Sequence, residues 1–450
     1  MRPNILFYFT DQQRWDTLGC MGQPLPVTPC LDALAEDGVC FEQAYSPQPV
    51  CGPCRAMFQT GRWAAQLGCF RNNLALPEGV KTLADYFEES SYETAYVGKW
   101  HLASSGALGQ KPDVDYTVTA IPPERRGGYR GFWRAADVLE FTSHGYDGYV
   151  FDEHMNKRAF TGYRADCITD FALEFLDAYD GKRPFFLTVS HIEPHHQNDA
   201  GHYQGPIGSK ERFANFTLPP DLAALGGNAA EEYPDYLGCC RQLDDNLARL
   251  VGKLKGMGNF DNTVIVFASD HGSHFKTRNR DAHLCGGDDY KRSCHDACLH
   301  VPLVLRGPGF RGGRRIKELV STASLPKTFL AMAGVSADMI GEDLRQVADH
   351  ALPNRENVIF AQISESRVGR CIRTPRYLYS VYAPGKNGGE CADADLYADD
   401  FLYDMANDPF QLHNLVGDPA YASIRDELAV LLLRKMHEAG ERPAKIVKSV

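Results

Sequence analysis

Four short apolar runs recur along the chain, and each breaks off at a residue able to do chemistry. "NILFYF" (4–9) is followed by Asp11, "TAYVG" (94–98) by Lys99, "PFFLTVS" (184–190) by His191 and His195, and "NTVIVFAS" (262–269) by Asp270. Runs of this length, rich in Val, Ile and Phe, predict strands buried on both faces. Between them the spacing changes to three and four: Leu31 to Leu34, Tyr163 to Tyr179, and Leu237, Cys240, Leu243, Leu247, Leu250 and Leu254. Alternating strands and helices predict an α/β fold, a large mostly parallel sheet flanked by helices. Ligands bind beyond the carboxyl ends of such strands, so four runs ending in Asp, Lys or His are expected to deliver those groups to one rim.

After about residue 350 the texture changes. "ENVIFAQIS", "GRCIRT" and "RYLYSVYA" read as short antiparallel strands, and a last helix is expected at 421–438 with Leu428, Val430, Leu431, Leu432 and Met436 on its apolar side. The chain is therefore divided into a catalytic domain, 1–350, and a smaller C-terminal α+β subdomain, 351–450, with a small antiparallel sheet and a terminal helix.

Composition narrows the function. At 450 residues the chain is far longer than a single redox module, and a net charge of −11 argues against nucleic acid as a partner. No run approaches the roughly 18 apolar residues of a membrane span, so no membrane partner is expected. The N-terminal segment meets Asp11 before a signal-peptide hydrophobic region can form, which reads as cytoplasmic unless a leader has been trimmed. The 14 cysteines are scattered without paired zinc spacing and read mostly as buried thiols of a reducing compartment.

Two of them stand in "PVCGPCRAMFQTGR" (49–62), where Cys51-Gly52-Pro53-Cys54 spells a thioredoxin-type dithiol. Pro53 suits the first turn of a helix and Cys51 its start, a position whose positive field stabilises an anion. That field fits a redox thiol too, but Val50 stands where thioredoxins carry Trp. The string C-G-P-C-R-A-M-F-Q-T-G-R instead resembles the signature of the type I sulfatases, C-x-P-S-R followed at the same spacing by T-G. "SYETAYVGKWHL", "FYFTDQQR", "FASDHG", "SHIEPHHQ", "YKRSCHDACLHVPLVLRGPG" and "FLYDMANDPFQLHNL" (401–415) match further elements of that family in order.

The resemblance implies an alkaline phosphatase-like fold and a sulfuric ester hydrolase. Cys51 would be oxidised by a formylglycine-generating maturation enzyme to 3-oxoalanine (formylglycine), whose hydrate attacks sulfur. Arg55, Lys99 and Lys291 would neutralise the sulfate, His195 or Lys291 would protonate the leaving alcohol, and His101 would take the proton that lets sulfate depart. Asp11, Gln12, Asp270 and His271, with position 51, would hold a metal. The oxygen donors favour Ca²⁺, with Mn²⁺ and Mg²⁺ open as alternatives because His271 suits transition metals. Cys54 departs from the usual Ser or Ala of the signature.

The loops around "SHIEPHHQND" (190–199), "HFKTRN" (274–279) and "KRSCHD" (291–296) look like those of bacterial sulfatases that remove 6-O-sulfate from N-acetylglucosamine. Glu193, Gln197, Asn198, Arg278, Asn279 and His295 are the expected contacts to a sulfated saccharide. Competing readings are a phosphonate or phosphodiester hydrolase of the same superfamily, a choline sulfate hydrolase, and a non-catalytic glycan-binding relative if Cys51 is never converted. The choline reading lacks the aromatic cluster that a quaternary ammonium requires.

Overall fold

The computed structural model describes residues 2–104, 113–278 and 290–448. Five strands lie parallel at the centre of a ten-stranded sheet, in the order Thr263–Ser269, Asn4–Thr10, Phe185–Ser190, Glu93–Lys99, Phe132–Ala136. Antiparallel strands extend both edges: Leu303–Arg306 pairs with Thr263–Ser269, and Asp147–Asp152 with Phe132–Ala136.

The two faces of the sheet are covered by different helices, and the first strand shows why. Ile5, Phe7 and Phe9 enter one core with Phe58, Phe87 and Phe329, from the helices Cys51–Thr60, Leu83–Glu89 and Leu325–Met332. Leu6 and Tyr8 enter the other with Leu34, Ile168 and Leu247, from Pro29–Asp37, Arg164–Ala178 and Ala229–Gly256. A period-2 strand buried on both sides needs apolar residues at every position, which the continuous run supplies. Each such side chain contributes about 1.5–3 kcal/mol by leaving water.

The parallel register aligns the strand ends. Thr10 stands beside Ser269, Phe9 beside Ser190, and Ser190 beside Gly98. Asp11, Asp270, His191 and Lys99 therefore emerge at the same rim. Gly98 has φ +102, and a Cβ there would lie 2.0 Å from the Ser190 carbonyl oxygen, so the strands approach too closely for any other residue.

Beyond the large sheet, Ile359–Ile363, Gly369–Arg373, Tyr377–Tyr382 and Leu396–Asp404 form an antiparallel sheet, to which Lys445–Val447 adds a parallel edge. The helix Ala422–Glu438 packs on it through Leu428, Leu432 and Met436. Val430, expected on that apolar side, is instead 70% exposed. Two residues after Leu428 it is turned about 200° around the helix, whereas positions 428, 432 and 436 stay in line. No helix among the described residues is long and apolar enough to cross a membrane.

Candidate active site

The helix Cys51–Thr60 is buried over its whole length, an unusual setting that its ends explain. Val50 is extended (φ −145, ψ 131) and turns the chain into the helix. Of the first backbone groups, Pro53 has no N–H, and the Gly52 N–H donates to Asn72 Oδ1 at 2.8 Å. Cys51 is thus held at the start of a helix with its side chain in the positive field there.

Around its sulfur the rim groups converge. Lys291 Nζ donates to Cys51 Sγ at 3.1 Å, His271 Nε2 lies at 3.3 Å and Asp11 Oδ1 at 3.4 Å. Asp11 Oδ2 accepts from Lys99 Nζ at 2.7 Å and from Arg55 Nη2 at 3.1 Å. Arg55 also donates through Nη1 to the Lys99 carbonyl oxygen (2.8 Å) and to Ser190 Oγ (2.7 Å), tying three strand ends together. Gln12 takes a left-handed conformation (φ 70), fixed by its N–H donating to Asp270 Oδ1 at 3.0 Å and its carbonyl accepting from the Tyr236 hydroxyl at 2.8 Å.

Electrostatics follow from this packing. Burial opposes ionisation of Cys51, yet Lys291, Lys99 and His271 hold its thiol well below the ordinary range. Burial and the charge of Cys51 likewise oppose ionisation of Asp11, but Lys99, His195 and Arg55 prevail and hold it below the usual carboxylate range. Burial, then the charge on Asp11, lift Asp270 to about 6. Cys54 differs altogether: its thiol donates to the Asp270 carbonyl oxygen at 3.2 Å, and burial pushes it up. The two cysteines of C-G-P-C therefore occupy opposite electrostatic settings.

The cluster fits a cation. Asp11, Cys51, Asp270 and His271 each bring a ligand atom within 4.8 Å of the others, all buried. His271 Nδ1 donates to the Gly272 carbonyl oxygen at 3.0 Å, which turns Nε2 toward carboxylate oxygens of Asp11 and Asp270, both at 3.6 Å. Asp270 Oδ2 accepts no hydrogen bond from any described residue. Lone pairs crowded in this way need positive charge among them. Gln12 Nε2 is engaged by the Tyr203 hydroxyl at 2.8 Å, which leaves its Oε1 as the free donor atom of the amide.

A cleft of about 200 Å³ opens above the sulfur, lined among others by Gln12, Lys99, His101, His195, Asn198 and Lys291. His195 Nδ1 donates to the His196 carbonyl oxygen (2.6 Å), so that Nε2 accepts from Lys291 Nζ at 2.9 Å. His101 is also left-handed (φ 61), its backbone pinned by its N–H on the Asp137 carbonyl oxygen (2.8 Å) and by the Asp137 carboxylate, which accepts from the Leu102 and Ala103 N–H groups.

Of the expected saccharide contacts among the described residues, Asn198 lines this cleft, and four others are engaged elsewhere within the protein. Glu193 and Gln197 are buried and accept from Arg164, through Nε at 2.8 Å and Nη2 at 3.0 Å, so they brace the histidine loop from beneath. His295 is buried with its ring nitrogens on the Ser293 and Tyr403 hydroxyls, both at 3.1 Å. Arg278 lines a neighbouring cleft, where it donates to the carbonyl oxygens of Gln411 (2.8 Å) and Phe410 (3.0 Å). Each side chain already has a protein partner, although Glu193 Oε2 and Arg278 Nε make no hydrogen bond with any described residue. Asn279 lies outside the described residues. Sequence reasoning did not single out Asn72, Glu140, Tyr290 and Arg292, which line the cleft, or Ser190 and Asp137, which hold its walls. Ser190 carried a signal as the last residue of a strand run, and Tyr290 and Arg292 stand in the matched stretch that begins at Tyr290.

Comparisons with known proteins agree with this geometry. The family model "Sulfatase" matches residues 3–335, and a second, "N-sulphoglucosamine sulphohydrolase, C-terminal", matches 288–438. The chain is 30% identical to the sulfatase YidJ of Escherichia coli over 97% of its length and 87% of the relative's. It is 28% identical to an ulvan-active sulfatase of Formosa agariphila (98% and 82%) and 23% identical to an N-acetylglucosamine-6-O-sulfatase of Bacteroides thetaiotaomicron (96% and 86%). A solved structure described as a complex with its substrate D-glucosamine-2-N,6-O-disulfate superposes with a TM-score of 0.73, covering 98% of both chains at 21% identity. The large, mostly parallel sheet flanked by helices is the alkaline phosphatase-like fold. The chain belongs to the sulfatase family and is a sulfuric ester hydrolase.

Proposed function

We propose that this chain removes 6-O-sulfate from terminal N-acetylglucosamine residues of a sulfated glycan, using the hydrate of formylglycine derived from Cys51 by a maturation enzyme. The observation that carries the reading is the Cys51 side chain at the start of a buried helix, within 3.1–3.4 Å of Lys291, His271 and Asp11. In support of the sugar stand the relative that acts on N-acetylglucosamine 6-sulfate and the structural neighbour bound to a sulfated glucosamine.

Asp11, Gln12, Asp270 and His271, with residue 51, would hold Ca²⁺, since three of the four side chains beside residue 51 offer oxygen. When present, the cation supplies charge to the sulfate oxygens and the formylglycine hydrate supplies the oxygen nucleophile. Lys99 and Lys291 add cationic charge that is already fixed in place before reaction. Arg55 orients Asp11 and Lys99 from below through the contacts given above. The Lys291 to His195 hydrogen bond keeps a transferable proton at the mouth of the cleft for the departing sugar oxygen. His101, with Nδ1 free of any described partner, is the base that would clear the second proton.

The test is a panel of defined sulfate esters assayed for free sulfate with converted enzyme. N-acetylglucosamine 6-sulfate should be turned over well above choline sulfate and uronate 2-sulfates. Preference for either of those would overturn the sugar, and preference for an aryl phosphonate would overturn the ester class.

A further inference from the structure

The cleft above Cys51 is walled by cations and neutral groups with one exception. Among its described lining residues Glu140 is the single carboxylate, against Lys99, Lys291 and Arg292. It sits on the short helix Leu139–Thr142, which follows the strand Phe132–Ala136 and the loop-holding Asp137. Its Oε1 accepts from Asn198 Nδ2 at 3.1 Å, while its Oε2 is buried and accepts no hydrogen bond from any described residue. Although His195 Nδ1 is 3.7 Å from that oxygen, its proton is committed to the His196 carbonyl oxygen. An anion-binding site therefore carries a buried acceptor that repels anions and lacks a donor.

We propose that Glu140, steadied by Asn198, is a specificity determinant: it accepts a hydroxyl or amide N–H of the bound sugar and rejects substrates that bring a second anionic group against it. The inference rests on the saccharide reading and narrows it to neutral, donor-bearing sugars. A donor on the sugar would satisfy the Glu140 acceptor, whereas an N-sulfate or carboxylate would be brought against a carboxylate away from water.

The test compares two esters in the same preparation, N-acetylglucosamine 6-sulfate and glucosamine 2-N,6-O-disulfate, so that the ratio of kcat/KM is unaffected by incomplete conversion. The full chain should prefer the N-acetylated ester by at least about 100-fold. Glu140→Gln, which keeps an acceptor and removes the charge, should narrow that ratio at least about tenfold. Asn198→Asp, which adds charge beside Glu140, should widen it. A ratio that stays put in both variants, or a wild-type preference for the disulfate, overturns the proposal and leaves the saccharide reading standing. Failure to turn over either sugar by enzyme that cleaves 4-nitrophenyl sulfate overturns both.

Discussion

Lys291 Nζ lies 3.1 Å from Cys51 Sγ and 2.9 Å from His195 Nε2, although 240 and 96 residues separate Lys291 from them. One ammonium thus touches both Cys51 and His195, the proposed sites of the nucleophile and of the leaving-group proton. If this pair delivers the proton, its loss depends on how much the leaving group needs one. His195→Ala is expected to lower turnover of an alkyl sugar sulfate by about 10²- to 10⁴-fold and that of a nitrophenyl sulfate far less. Equal losses on both, measured as kcat, would remove His195 from proton transfer.

Cys51 and Cys54 should respond oppositely. Peptide mass spectrometry of protein made beside a maturation enzyme is expected to show formylglycine at position 51 and an unmodified thiol at 54. Cys51→Ala should abolish sulfate release without unfolding, and Cys54→Ser should retain it, because the Cys54 thiol faces the Asp270 carbonyl oxygen and the Ser46 hydroxyl, hydrogen bonds that a serine hydroxyl can also make. Conversion at 54 would contradict the assignment.

Removal of metal by a chelator should stop sulfate release and lower the thermal midpoint, since Asp11 and Asp270 are left facing one another in a buried site. Ca²⁺ should restore both at least as well as Mn²⁺. Recovery with Mn²⁺ alone would point to the phosphonate-cleaving branch of the superfamily.

Gly98→Ala is expected to cost more than about 3 kcal/mol and to give little folded protein. The new Cβ would meet the Ser190 carbonyl oxygen, which is backbone and cannot swing aside, at a positive φ as well. Expression of a soluble variant with near-native unfolding in urea would refute this close-approach argument.

Asp244 offers a pH test away from the cleft. Its carboxylate accepts from the Cys30 and Leu31 N–H groups, yet burial lifts it to about 7. An acid with a folded pKa above its unfolded one binds a proton more tightly when folded, so its contribution to stability is lost as pH rises from about 4 to about 7. Three pH units correspond to about 4 kcal/mol at most. Asp244→Asn should flatten the fall in urea-unfolding stability across that window. An unchanged slope would mean that Asp244 ionises in the folded state as it does in the unfolded chain.

The sequence alone determined what depends on neighbours along the chain. A short continuous run rich in Val, Ile and Phe reads as a doubly buried strand, and a spacing of three and four reads as one side of a helix. The parallel centre of the sheet and its rim of Asp11, Lys99, His191 and Asp270 were therefore legible, as was the helix start at Cys51. Antiparallel edges were not, because strand direction is set by pairing between segments remote in sequence. Tertiary structure alone decided which polar side chains of the loops line the cleft. Glu193, Gln197, Asn198 and His295 look alike as hydrogen-bonding residues, but Arg164, 29 residues before Glu193, claims the first two, and Tyr403, 108 residues after His295, claims the last. Glu140 shows the converse: nothing in "DVLEFTS" marks it, and it becomes a candidate only because folding carries it beside His195 with one oxygen unpaired. A buried polar group must find a partner somewhere, and only the folded chain shows which have found one within the protein and which remain open to a ligand.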